Sequence, residues 1–132
     1  MKLELTILKN LVYNEDYLRK VLPFLKEEYF STNTEKLIFH EIQSFTTTYN
    51  NTPTIEALTL AVKERRNLTD DEVSRCESCL QEIESAKSET AKIDWLTDKT
   101  EQFCQEKAIY NAVLASISVL DGKDKTKDKG AI

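Results

Sequence analysis

The sequence predicts an all-α fold, and three observations carry that prediction. Only two glycines and two prolines occur in 132 residues, far below the share that turn-rich all-β chains use. Apolar residues recur at spacings of three and four through most of the chain, the period of an amphipathic helix. Capping residues stand ahead of several of these runs. With 40% hydrophobic residues the chain can bury one core without disulfides, and it is too short for a second full domain.

Leu5, Leu8, Leu11 and Val12 line one side of a first, short helix, which Asn14 ends. Asn14 also caps the next helix, with Glu15 and Asp16 near the positive end of its dipole and Tyr17, Leu18, Val21 and Leu22 facing inward before Pro23 stops it. From Thr34 to Tyr49 the positions Ile38, Ile42, Phe45 and Tyr49, widened by Leu37 and Phe39, predict the clearest buried helix. Thr52 is placed to cap a fourth helix starting at Pro53, with Ile55, Leu58 and Val62 inward. The string Thr69-Asp70-Asp71-Glu72 is a capping box that opens a fifth helix, running to about Ala86.

A long helix follows from about Lys92 to Leu120, with no glycine or proline inside it. Leu96, Phe103, Tyr110 and Ile117 recur every seven residues, and Leu114 lies four after Tyr110, the spacing of a seam for another helix. The same spacing fits a helix lying on its own core, so the pattern alone leaves both open. Length favours a division of labour: at 1.5 Å per residue such a helix reaches about 40 Å, more than a small headpiece covers, so its C-terminal half is expected to project. Phe103, Tyr110, Leu114 and Ile117 are the candidate self-association residues. The expected organisation is a headpiece of about five helices over residues 1–90, the long helix over 91–120, and a charged tail, 121–132, as a flexible linker or the cut end of a fragment.

Charge argues against a grip on nucleic acid. The net charge is −5, and the first 120 residues, with 14 basic and 20 acidic side chains, carry −6. The odd count of cysteines and the absence of a secretory leader point to a reducing, cytosolic setting. No run approaches the eighteen or so apolar residues of a membrane span.

Catalytic and metal chemistry find little support. Cys76, Cys79, Cys104 and the single histidine, His40, form the residue set of a Cys3His zinc site, but Cys76 and Cys79 fall within a predicted helix and no second close pair exists. Reduced thiols without metal are expected. Nothing in the pattern unites His40 with a nucleophile and an orienting group, and the carboxylate pairs Glu27-Glu28 and Asp70-Asp71 sit at helix starts, where the dipole accounts for them. No phosphate-binding glycine loop is present, so the chain is expected to be no enzyme and to hold no cofactor.

Several strings nevertheless go beyond generic helix chemistry. Asp94-Trp95-Leu96, then Thr100-Glu101, Gln105, Ala108 and Asn111-Ala112 resemble the start of the helical hairpin that follows the headpiece in the DnaB family of ring-shaped replicative helicases, T-even-type phage branch. Tyr29-Phe30, Ile38-Phe39 with Ile42, Thr52-Pro53-Thr54 and Ala57-Leu58 are similar to that family's headpiece. Thr34-Glu35-Lys36 stands where bacterial members carry a histidine and an arginine, which fits the phage branch. Gly130-Ala131-Ile132 looks like the entry to the hairpin's second helix.

The resemblance implies an N-terminal scaffold domain of a phage replicative helicase. Such a domain pairs with copies of itself within a six-membered ring, docks primase or helicase loader, and works in the bacterial host cytoplasm. It implies no catalysis by this chain, whose full-length protein would carry the ATP-dependent motor, no strong direct nucleic-acid binding and no membrane contact. Two other classes stay open at this stage: a free-standing phage adaptor or inhibitor that mimics the domain, and a metal-binding regulator resting on the cysteines.

Overall fold

Asparagine and threonine side chains punctuate the chain, and the helices follow them. The computed structural model describes residues 1–89 and 91–130, the last ten by their backbone alone. Six α-helices and one 3₁₀ turn occur among the described residues, with no strand. They are α1 (Leu3–Tyr13), α2 (Glu15–Val21), the 3₁₀ turn (Glu27–Tyr29), α3 (Asn33–Tyr49), α4 (Ile55–Glu64), α5 (Asp70–Ser85) and α6 (Ile93–Gly130). The all-α expectation holds.

Asn14 both ends α1 and caps α2, its Oδ1 accepting from the Tyr17 amide at 3.0 Å. Thr32 and Thr69 open α3 and α5 through full capping boxes with Glu35 and Glu72. Asn50 ends α3 in the left-handed conformation at φ 53°, which asparagine tolerates better than most residues. Arg19 of α2 fixes that end by donating to the Asn50 carbonyl at 3.1 Å while holding Glu15 at 2.8 Å.

One cap stands two residues from its expected place. Thr54, not Thr52, caps α4: its hydroxyl accepts from the Ala57 amide at 3.1 Å, and the helix begins at Ile55. Pro53 sits buried ahead of the cap, and the Thr52 amide is taken by Asn51 Oδ1 at 2.8 Å. Tyr49 also departs from expectation. It is 66% exposed, and its ring packs on that of Phe45, centroids 4.7 Å apart, instead of entering the core.

The core is built on α1, α2 and α3, with α5 and the first half of α6 closing it. Leu8, Leu11, Leu18, Ile38, Ile42 and Ile83 are fully buried there. Phe30, just after the 3₁₀ turn, stacks on Phe39 at 5.1 Å and meets Phe103 of α6 at 5.9 Å. Each such ring contributes on the order of 1.5–3 kcal/mol of apolar burial, so α6 is held to the headpiece by substantial packing at its N-terminal half.

Polar ties complete the frame. Glu35, almost fully buried, receives Lys2 at 2.7 Å, and Lys9 donates to the Glu89 carbonyl at 2.7 Å, fastening α1 to the connection before α6. Arg65 reaches Glu41 at 3.2 Å and so pins the end of α4 to α3. Helical backbone continues from Leu120, where the long helix was expected to end, through Gly130. No proline interrupts this stretch, and a single Gly122 costs only about 1 kcal/mol in a helix. Of the expected tail, residues 131 and 132 lie outside the described residues.

Candidate interaction surface

The heptad positions of α6 divide sharply between core and solvent. Leu96 is fully buried and Phe103 is 5% exposed, whereas Tyr110, Leu114 and Ile117 are 58%, 44% and 50% exposed. The divide falls at Lys107, whose ammonium lies 5.9 Å from the Phe103 ring and 5.8 Å from that of Tyr110. Among the described residues Asn111 makes the outermost side-chain tie from α6 to the headpiece, donating to the Glu28 carbonyl at 3.2 Å. Of the four residues picked from the sequence, Phe103 thus belongs to the headpiece core, and the other three stand on the projecting arm.

Between Lys107 and Asp121 lie thirteen residues without a charge. Ile109, Val113 and Leu120 are exposed there alongside Tyr110, Leu114 and Ile117. At about 100° per residue, Ile109, Val113, Ile117 and Leu120 fall on one line of the helix, and Tyr110 and Leu114 flank it. Heptad counting missed this line. Beyond Lys107 the side chains of α6 up to Leu120 are exposed on every face, apart from half-buried Asn111, because the helix has run past the headpiece. Isolated exposed apolar residues are normal on a protein surface, whereas a contiguous uncharged face of this kind is a candidate interaction surface.

The root of the arm is a notch of different character. A recess of about 330 Å³ lies between the 3₁₀ turn, the start of α3 and α6, lined by Glu28, Ser31, Lys36, Lys107, Tyr110 and Asn111 among others. A second recess of about 360 Å³, between α3 and α4, is lined by Phe45, Tyr49, Ala57, Leu60 and Ala61 and bordered by Glu41 and Glu64.

The residues considered for metal or nucleophilic chemistry are dispersed. His40 lies on the surface of α3 with Nδ1 3.3 Å from Glu27 Oε2. Cys76 and Cys104 are buried and Cys79 half-buried, all three as free thiols. Burial pushes the Cys79 thiol up to about 12 and the Cys104 thiol up to about 11, and it raises Cys76 as well, so none is the accessible thiolate that nucleophilic or metal chemistry uses. Among the described residues no group of three or more His, Cys, Asp or Glu side chains is arranged to hold a metal ion. No described helix is long and apolar enough to cross a membrane.

The described residues thus form a helical headpiece followed by one long helix. The chain is similar to a phage replicative helicase. The relative is the DnaB-like replicative helicase of Enterobacteria phage T4, 28% identical over 123 residues that cover 93% of this chain. The chain spans a quarter of that helicase's length, an extent consistent with a single N-terminal domain. No family model matches the chain. The similarity to the T4 helicase takes in headpiece and arm together, since it leaves only a small fraction of this sequence uncovered.

Proposed function

We propose that this chain is the N-terminal scaffold domain of a phage replicative DNA helicase. It pairs subunits within a hexameric ring and offers a platform to primase or helicase loader, without catalysis of its own. The observation that carries this reading is the uncharged, exposed face of Ile109, Tyr110, Val113, Leu114, Ile117 and Leu120 on an arm projecting from a closed headpiece. Leaving such a face in water costs roughly 25 cal/mol for each Å² that a second helix would cover, so association is favoured. The similarity to a replicative helicase supports a ring as the setting in which that association occurs.

The acidic balance supports a collar role over a grip on DNA, because phosphate contacts require clustered positive charge that the headpiece lacks. A sedimentation series over a wide concentration range, paired with titrations of purified primase and loader from the same replication system, tests the proposal. Concentration-dependent dimers and saturable binding of at least one of the two proteins are expected. A chain that stays monomeric throughout and binds neither protein overturns it.

A further inference from the structure

We infer that the groove between α3 and α4 is the headpiece's docking site for a basic amphipathic helix of a partner protein, a step that rests on the platform role proposed above. The two longest runs of sequence without a charged residue are the arm segment 108–120 and residues 42–55, in a chain where 31% of residues are charged. The second run takes in the C-terminal half of α3 and the connection into α4. Its Phe45 and Tyr49 stand on one wall of the 360 Å³ recess, and Ala57, Leu60 and Ala61 of α4 stand on the other. Tyr49 is 66% and Leu60 53% exposed, so two large apolar side chains face solvent across one groove. Protein interfaces have this character, with aromatic anchors at an uncharged centre and charge confined to the rim.

Charge selects the occupant. The charged residues lining the groove are Glu41 and Glu64. Arg65 covers Glu41 at 3.2 Å, and Lys63 is drawn to Glu77 at 3.5 Å, so Glu64 is the rim charge left for a partner. Arg66 lies outside the lining, and Glu56 borders a neighbouring recess at the start of α4. The last turn of α3 carries no basic side chain, so the negative end of its dipole lies at the Tyr49 end of the groove, offset in part by Arg19 at the Asn50 carbonyl. The first 120 residues, with 14 basic and 20 acidic side chains, surround the groove with a field of the same sign. A helix that places apolar side chains between Tyr49 and Leu60 and a Lys or Arg at Glu64 matches both properties. A second copy fits less well, because it brings its own negative charge and its exposed arm run holds no cation for Glu64. Position also keeps the two surfaces apart. Lys36 of α3 lines the recess at the root of the arm, and Tyr49 lies thirteen residues further along that helix, about 20 Å away at 1.5 Å per residue. A partner in the groove therefore leaves the arm free to pair.

The test titrates the wild-type chain, Tyr49→Ser/Leu60→Ser and Glu64→Lys with purified primase and with purified loader from the same replication system, read by fluorescence anisotropy. The double variant is expected to bind one of the two proteins at least about tenfold more weakly. Glu64→Lys is expected to weaken the same complex about threefold at about 0.05 M salt, with a smaller difference at about 1 M as screening sets in. Sedimentation is expected to show the dimer unchanged in both variants, and circular dichroism checks that each keeps its helices. Wild-type affinity in the double variant overturns the groove while leaving the platform role standing. Unchanged or tighter binding by Glu64→Lys at low salt overturns the basic character of the partner. A wild type that binds neither protein removes the platform role and the groove together. Loss of the dimer in the double variant would make a second copy the occupant and also overturn the inference.

Discussion

Tyr17 of α2 and Thr100 of α6 meet hydroxyl to hydroxyl at 2.6 Å inside the core. Thr100 spends its own hydrogen on the Leu96 carbonyl at 2.7 Å, so Tyr17 is the donor and Thr100 the acceptor. This bond fastens the arm-bearing helix to the headpiece at a fully buried point. Thr100→Val leaves the buried Tyr17 hydroxyl without an acceptor and is expected to cost about 1–3 kcal/mol. Tyr17→Phe leaves Thr100 still bonded to Leu96 and should cost less, about 0.5–1.5 kcal/mol. Urea denaturation of both variants measures the difference, and the reverse order of costs would contradict this assignment of donor and acceptor.

The same burial makes the fold sensitive to alkali. Cys79 and Cys104 are pushed up to about 12 and about 11 from an ordinary thiol value of 9.0, Cys76 is raised, and Tyr17 is raised from 10.0, in each case chiefly by burial. A group whose folded-state value is raised keeps its proton in the folded chain after the unfolded chain has lost it. Its contribution to stability is complete below the unfolded value and is lost as pH rises toward the folded one. The urea midpoint is therefore expected to hold between neutrality and about pH 8.5, then fall steadily to pH 11 or so. Cys104→Ala should flatten part of that fall, and a midpoint that rises over this interval would refute the sign.

The position of the α4 cap yields a local test. Thr54→Ala removes the hydroxyl that accepts from Ala57 and is expected to lower stability by about 1 kcal/mol. Thr52→Ala leaves that bond intact and should change stability by less than about 0.5 kcal/mol. Thermal melts of the two variants side by side distinguish the caps.

Both outcomes bear on how far this fold can be read from its residues. Caps whose acceptor and helix start are adjacent in sequence, at Asn14 and Thr69, were legible, since the motif contains its own geometry. At Thr52-Pro53-Thr54 two threonines compete, and only the path of the chain around buried Pro53 decides between them. The burial of Glu35 was not legible, because it depends on Lys2 arriving from the far end of the headpiece. In α6 the seven-residue repeat runs from the core into solvent along its own length. Leu96 and Phe103 face the core, whereas Tyr110, Leu114 and Ile117 lie where α6 has outrun the headpiece, a length relation between helix and headpiece that periodicity does not encode. The notch escaped sequence reading altogether, since Lys36 and Lys107 are brought together by packing across the 3₁₀ turn.

The division of α6 at Lys107 leads to the most direct test of the arm. Phe103 is packed against Phe30 in the core, and Phe103→Asp, which buries a charge in place of a ring, is expected to unfold the headpiece, given that losing a buried ring alone costs about 3–5 kcal/mol. Leu114→Asp with Ile117→Asp alters side chains that are about half exposed and touch no part of the core cluster. That variant should retain the wild-type urea midpoint while losing concentration-dependent association, because two carboxylates would have to be desolvated in the interface. Sedimentation and circular dichroism on the same samples separate the two effects. Collapse of the fold in the Leu114/Ile117 variant would place those residues in the headpiece core, and undiminished association would move the pairing surface elsewhere on the molecule.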